Sequence, residues 1–466
     1  MNRRQFLAAS ASGMAAMMAS AKTSPAGGPP DRPNVIVILA DDLGWADLRC
    51  YGAQDMETPA VDRLAAEGMK FDDFHANCPV CSPTRAALLT GRYPELVGVP
   101  GVIRTDPRDS WGNLIPQAVM LPELLRRAGY HTALVGKWHL GLQSPSLPNE
   151  RGFDHFHGFL GDMMDNYVTH RRHGQNYMRL NAEVIDPPGH ATDLFTDWAC
   201  DYLKNRPADR PFFLYLAYNA PHSPIQPPPE ALAAVAKRRP DLPPRRAALV
   251  ALIEHMDSGI GRVLQTLDRL DLARNTLVIF TSDNGGQLDL GARNGPVRAG
   301  KGTVYEGGLR VPMLARWPGR IKPASRSGLL ALTMDLMPTV MEACGLRVEH
   351  EIDGRSFLPT LLGENQPWPP RDLFFGRREG GPFKGGTIEA IRRGDWKLLR
   401  SRPGGPWELY NLAEDPMEKN DLSAQQPARV AELAAALEAQ LNRYAQVPWE
   451  PPGRGSQEPS TRPGSA

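Results

Sequence analysis

The chain has 466 residues, 41% hydrophobic and 23% charged, with 53 basic against 52 acidic side chains. Chains beyond roughly 250–300 residues divide rather than enlarge one core, so one large domain and a smaller one are expected. The near-neutral balance argues against a general nucleic-acid binder, and no run of the ~20 apolar residues that a membrane span requires is present.

In chain order, Asn2-Arg3-Arg4-Gln5-Phe6-Leu7 precedes a small-residue apolar run ending Ala19-Ser20-Ala21. A basic start, a short apolar stretch and an A-x-A site are the parts of an export signal, and the paired arginines before Phe-Leu resemble the twin-arginine type. Residues 1–30 are therefore read as export signal and linker, and the mature protein as periplasmic or secreted. Five cysteines (Cys50, Cys78, Cys81, Cys200 and Cys344) are too few for a disulfide scaffold, and the odd number leaves at least one thiol unpaired or altered.

Four apolar runs of strand length each end in polar residues. Val35–Ala40 leads to Asp41-Asp42, and Thr132–Gly136 to Lys137-Trp138-His139. Phe212–Tyr218 leads to Asn219-Ala220-Pro221-His222, and Leu277–Phe280 to Thr281-Ser282-Asp283-Asn284. Apolar strands without alternation suit a sheet buried on both faces, hence parallel and covered by helices. Helical spacing over Thr58–Gly68, Leu121–Gly129 and Ala247–Leu270 supplies the cover and gives an α/β fold. Ligands in such sheets bind at the carboxyl ends of the strands, where all four polar clusters fall. The stretch from His155 to His190, rich in His, Arg, Tyr and Asn, reads as loops over that pocket. Within it, His170-Arg171-Arg172-His173 reads as a solvated charge run that could also meet a polyanionic glycan.

Catalytic-domain residues 31–365 end near Gly363–Pro370, which reads as a linker. A small α+β domain over 371–446 follows, with strands Ala390–Arg393, Trp396–Arg400 and Glu408–Leu412 and a helix Ala424–Tyr444; residues 447–466 read as a disordered tail.

The chemistry concentrates at Cys81-Ser82-Pro83-Thr84-Arg85. Ser82 fits an N-cap, Pro83 the first helical position and Gly91 the stop. Cys81 then sits at the positive end of a helix, with Arg85 one turn on. Asp41, Asp42, Asp283 and Asn284 offer only oxygen, which suits a hard cation rather than zinc.

Cys-x-Pro-x-Arg followed by Ala-Ala-Leu-Leu-Thr-Gly-Arg resembles the signature of the formylglycine-dependent sulfatases. The likeness runs through Asp41-Asp42-Leu43-Gly44, Gly136–Gly141, Ala220-Pro221-His222, Ser282–Gly285, Gly300–Thr303, Glu306–Pro312 and Leu409–Leu412 with Asp415-Pro416. It implies an alkaline-phosphatase-like fold, a large mostly parallel sheet sandwiched by helices, with the smaller C-terminal domain behind it. It implies hydrolysis of sulfate monoesters, of a carbohydrate or small molecule with aryl sulfates as surrogates. By the same resemblance a converting enzyme oxidises Cys81 to formylglycine, whose hydrate attacks sulfur and then expels sulfate by elimination from a sulfated-enzyme intermediate. Ca²⁺, with Mg²⁺ as the alternative, is held by Asp41, Asp42, Cys81, Asp283 and Asn284. Asp283 assists deprotonation of the nucleophile, and Lys137 anchors it near Arg85. His222 and Lys301 hold sulfate and assist the leaving alcohol, while His139 takes the proton of the second hydroxyl.

Rival readings are a phosphonate or phosphate ester hydrolase of the same superfamily and a non-catalytic sulfated-glycan binder in which Cys81 stays a thiol. Gly295–Lys301 has phosphate-loop spacing, but Gly302 stands where Ser or Thr is required. Cys78-Pro79-Val80-Cys81 has no second ligand pair to complete a zinc site.

Overall fold

The computed structural model describes residues 32–106, 108–379 and 384–447. The export-signal reading over 1–30 and the tail reading beyond 447 lie outside them.

Among the described residues, ten strands form the main sheet. They are β1 (Asn34–Ala40), β2 (Met69–Phe71), β3 (His131–Lys137), β4 (His155–Phe159), β5 (Met178–Leu180), β6 (Glu183–Val184), β7 (Phe212–Ala217), β8 (Thr276–Ser282), β9 (Met313–Arg316) and β10 (Ser325–Ser327). The order is β10-β2-β9-β8-β1-β7-β3-β4-β5-β6. The five central strands, β8-β1-β7-β3-β4, run parallel, with Val37 opposite both Tyr215 and Ile279. Antiparallel strands extend both flanks, so the sheet is mixed at its edges.

The β1 sequence shows why both faces are apolar. Val35, Val37 and Leu39 enter one core, and Ile36, Ile38 and Ala40 enter the other. The first core is closed by α2 (Cys81–Thr90) and α3 (Leu121–Arg127). The second is closed by α1 (Pro59–Ala66), α4 (Ala191–Asn205) and α5 (Pro244–Arg269). Side chains alternate along a strand, so a run apolar at every position needs helices on both sides.

The four apolar runs and three helical segments read from the sequence appear within a few residues of their expected bounds. The stretch from His155 does not remain loop. It supplies β4, β5 and β6, because His155 and His157 act as aromatic rings rather than charges. His157 stacks on Trp198 at 3.5 Å and His155 on Tyr202 at 5.6 Å.

The small C-terminal antiparallel sheet contains β11 (Asp372–Arg378), β12 (Thr387–Arg393), β13 (Trp396–Arg400) and β14 (Glu408–Asn411), in that order. One face packs Leu373, Phe375, Ala390 and Leu399 against Ala87, Tyr93 and Leu309 of the larger layer. The other face is covered by α6 (Pro427–Tyr444) through Leu433 and Leu437. Lys397, fully buried, ties the two layers together, with Nζ 2.8 Å from Glu306 Oε1 and 2.9 Å from Glu418 Oε1. No helix among the described residues is long and apolar enough to cross a membrane.

Candidate active site

The carboxyl ends of β1, β3, β7 and β8 deliver Asp41 and Asp42, Lys137 and His139, His222, and Asp283 and Asn284 to one buried place. Cys81 meets them from α2. The helix begins two residues earlier than the capping pattern suggests: Cys81 is its first residue and Val80 its cap. Ser82 is not the cap; its Oγ accepts the Ile103 N–H at 3.1 Å. No side chain caps the helix; the Thr84 hydroxyl instead accepts the Cys78 N–H and donates to the Cys78 carbonyl, which locks the loop before the helix. Gly91, left-handed with φ 67°, ends the helix as the sequence implies.

The site is a web of opposite charges in which nearly every group is out of water. Lys137 Nζ donates to Asp41 Oδ2 at 2.5 Å, and Lys301 Nζ donates to Asp42 Oδ2 at 2.6 Å. Arg85, fully buried, forks onto Asp283 Oδ2 through Nε at 3.0 Å and Nη2 at 2.7 Å, and also reaches the Lys137 carbonyl. Asp283 Oδ1 accepts the Asp42 N–H at 3.1 Å, and Asn284 Nδ2 donates to Asp42 Oδ1 at 2.8 Å. Asp42 holds φ 66°, left-handed backbone that costs a non-glycine residue free energy and that these two contacts enforce. Gly285 is needed beside them, since a Cβ there would lie 1.8 Å from the Gly307 carbonyl oxygen.

Burial alone would raise Asp41, but Lys137, His222, Arg85 and Lys301 outweigh it and hold the carboxyl well below its usual range. Asp283 goes the other way: burial and the facing Asp41 push it up to about 7 despite Arg85. The Cys81 thiol is pushed well up, by burial first and Asp41 second, and so stays protonated at neutral pH. Its Sγ lies 4.0 Å from Asp42 Oδ1.

The two histidines have defined faces. His139 Nε2–H donates to the Ile103 carbonyl at 2.7 Å, leaving Nδ1 a buried lone pair with no partner. Burial, then Lys137 and Arg85, keep this ring neutral, well below the usual imidazole range. His222 Nδ1–H donates to the Ser223 carbonyl at 2.7 Å, so Nε2 accepts from Lys301 Nζ at 3.1 Å. Burial and Lys301 lower it too.

The structure thus gathers Asp41, Asp42, Cys81, Arg85, Lys137, His139, His222, Asp283, Asn284 and Lys301 into one neighbourhood. Part of it has the donors to hold a metal ion. Donor atoms of Asp41, Asp42, Cys81 and His222 lie within 4.8 Å of one another, and Asp41 Oδ1 and Asn284 Oδ1 are buried without a hydrogen bond. Asp283 stands beside this cluster, both of its oxygens engaged by Arg85 and Asp42.

Other readings change. Cys78 points away from Cys81 and donates through Sγ to the Gly376 carbonyl at 3.1 Å, and no disulfide joins any two of the five cysteines. The charged run at His170–His173 is consumed within the chain. Arg172 pairs with Asp162 and Asp165, Arg171 pairs with Asp186, and His170 Nε2 donates to the Gly189 carbonyl. Tyr167 was not singled out by the sequence. Its hydroxyl lies 2.8 Å from the carbonyls of both Asn219 and His222, fixing the loop that carries His222. Only its place among pocket-side aromatics hinted at it.

The family profile described as Sulfatase matches residues 33–346, and that described as N-sulphoglucosamine sulphohydrolase, C-terminal, matches 299–447. The chain is 36% identical to N-acetylgalactosamine-6-sulfatase of Homo sapiens, over 84% of this chain and 76% of that protein. It is 33% identical to arylsulfatase A of Homo sapiens, over 87% and 86% of the two chains. Among solved structures, Ps i-CgsB in complex with k-i-k-neocarrahexaose superposes with a TM-score of 0.82 at 33% identity, covering 90% of this chain and 95% of that one.

Proposed function

This chain belongs to the sulfatase family and is a sulfuric ester hydrolase, and from that premise we propose that it cleaves a carbohydrate sulfate with a nucleophile made by oxidising Cys81 to formylglycine. One observation carries the nucleophile: Cys81 heads α2 at the centre of the charged web, yet burial holds its thiol protonated and inert. Hydrated formylglycine places two hydroxyls on one carbon, one to attack sulfur and one to expel sulfate as the carbonyl re-forms. At 3% exposure the Cys81 side chain is beyond a converting enzyme's reach in the folded protein, so oxidation precedes folding. With a twin-arginine export signal, which carries folded proteins to the periplasm or beyond, conversion would then also precede export.

Asp41, Asp42, Asp283, Asn284 and position 81 would hold the cation, Ca²⁺ with Mg²⁺ as alternative, which adds positive charge beside the sulfate oxygens. Three carboxylates already face Arg85, Lys137 and Lys301, so a divalent ion leaves the pocket net positive toward an anionic ester. Lys137 and Arg85 anchor the nucleophile. Asp283 takes its proton, and the partnerless Nδ1 of His139 takes that of the second hydroxyl. Lys301, its ammonium oriented by His222 Nε2, meets the leaving oxygen, where negative charge grows as the S–O bond breaks. The carbohydrate reading is supported by the relative named for N-acetylgalactosamine-6-sulfate and by the neighbour solved with a neocarrahexaose.

The test is the mass of the Cys81 peptide from protein made in its own host, together with kcat/KM on matched sulfate and phosphate esters and a panel of sulfated sugars. The expected results are an aldehyde at position 81 and preference for a sulfated sugar. An intact thiol in active protein overturns the nucleophile. Faster phosphate turnover overturns the ester class, and an aryl sulfate surpassing every sugar overturns the carbohydrate.

A further inference from the structure

Behind the His222 loop, away from the sulfate-binding groups, His190, Asp193 and His255 bring one nitrogen or oxygen each to within 4.8 Å of one another. His190 caps α4, Asp193 lies in the first turn of that helix, and His255 comes from α5. The two imidazoles stand edge to face with centroids 5.1 Å apart.

The tautomers suit metal ligation. His190 Nε2 donates to the Gln226 carbonyl at 2.9 Å, so Nδ1 carries the lone pair, met only by a long 3.3 Å contact from the Thr192 N–H. An imidazole with its outer nitrogen held by a backbone carbonyl is the usual arrangement of a metal-bound histidine, and an ion on Nδ1 would displace the long cap bond from Thr192. His255 Nε2 is buried and lies 3.1 Å from Asp193 Oδ1, a close contact that holds the Asp193 carboxyl below its usual range and that an ion between the two would replace. The positive end of α4 opposes a cation here, and the Asp193 carboxylate in its first turn supplies the countercharge. Asp193 is 45% exposed along its side chain, which gives an ion a way in.

We propose that His190 Nδ1, His255 Nε2 and Asp193 form a second metal site, for a divalent transition ion of the zinc type. Two imidazoles and one carboxylate match that borderline ion and poorly suit the hard cation of the sulfate pocket. The site is tied to catalysis by position. The His190 ring packs on Tyr167 at 5.0 Å, and Tyr167 holds the Asn219 and His222 carbonyls. The His190 partner, Gln226, lies on the same loop and accepts the Tyr167 N–H through Oε1. An ion here fastens α4, α5 and the His222 loop together.

The test uses chelator-stripped full-length protein titrated with ZnCl₂ by calorimetry and with CoCl₂ by visible absorption. Wild type, His255→Gln, Asp193→Asn and Asp42→Asn are compared, each checked for folding by circular dichroism. Wild type and Asp42→Asn should take up Zn²⁺ at this site, with a Co²⁺ ligand-field band and a raised thermal midpoint. His255→Gln and Asp193→Asn should each lose the band and weaken Zn²⁺ binding at least tenfold. Two results overturn the proposal: no Zn²⁺ uptake by wild type at micromolar concentration, or folded His255→Gln and Asp193→Asn proteins that bind within tenfold of wild type. Because Asp42 belongs to the sulfate pocket, loss confined to Asp42→Asn would assign the ion there and refute the second site.

Discussion

Lys301 is the group whose replacement best separates a leaving-group role from a purely structural one. Its ammonium sits 2.6 Å from Asp42 Oδ2 and 3.1 Å from His222 Nε2, with 18% of the side chain exposed. Lys301→Met keeps the length and removes the charge. Losing one preorganised donor aimed at developing charge costs about 3–4 kcal/mol, or ~10²–10³ in kcat. That cost depends on how much charge the leaving oxygen carries. A sugar alcohol is a poor leaving group and needs the full donor, whereas an activated phenol leaves with little help and should lose no more than about tenfold, ~1.4 kcal/mol. The assay is kcat/KM on a nitrophenyl sulfate and on the best sulfated sugar, with the oxidised fraction of position 81 measured by mass so that poor maturation is not mistaken for poor catalysis. Equal losses on the two substrates would refute the leaving-group role and leave Lys301 as a counter-ion for Asp42.

Exhaustive chelation should abolish sulfatase activity and lower the thermal midpoint, with Ca²⁺ restoring both; full activity in protein shown metal-free by elemental analysis would remove the ion from the mechanism. Glu95, beside a cavity of about 340 Å³ under the C-terminal sheet, is pushed up to about 8 by burial. A raised acid stabilises the fold at low pH and loses that contribution as pH climbs through its folded value. Glu95→Gln should therefore match wild type in urea unfolding near pH 5 and exceed it near pH 9; a gap independent of pH would contradict this. Lys397→Met leaves Glu306 and Glu418 buried and facing each other, for a loss of about 3–5 kcal/mol that adding Glu418→Gln should partly restore, read from denaturant unfolding.

The central sheet was legible because its strands are buried twice over: Val35–Ala40 is apolar at every position, a pattern that admits few other folds. Its flanks were not. Met178–Leu180 and Glu183–Val184 are too short for any period, and Val184 is 64% exposed. His155–Phe159 reads as polar until its histidines are seen stacked on Trp198 and Tyr202. The C-terminal sheet showed three of its four strands. Asp372–Arg378 escaped because it carries charges at both ends and gains its partner only from Thr387–Arg393.

The site was legible as a set of residues but not as a network. Residue types at strand ends and on α2 could suggest that Asp283 and Arg85 belong together, yet not that Arg85 occupies Asp283 Oδ2 with two donors while Asp42 takes Oδ1. Backbone geometry hid for the same reason. Asp42 and His139 both hold positive φ, 66° and 59°, directly after parallel strands. Neither residue type demands it, and neither would keep it alone. Asp42 is held by Asp283 and Asn284, and His139 by its own N–H on the Leu160 carbonyl and its ring on Ile103. Left-handed backbone of this kind persists only where its neighbours over-determine it. Such strain belongs to contacts between residues up to 242 positions apart, so no local pattern could have announced it.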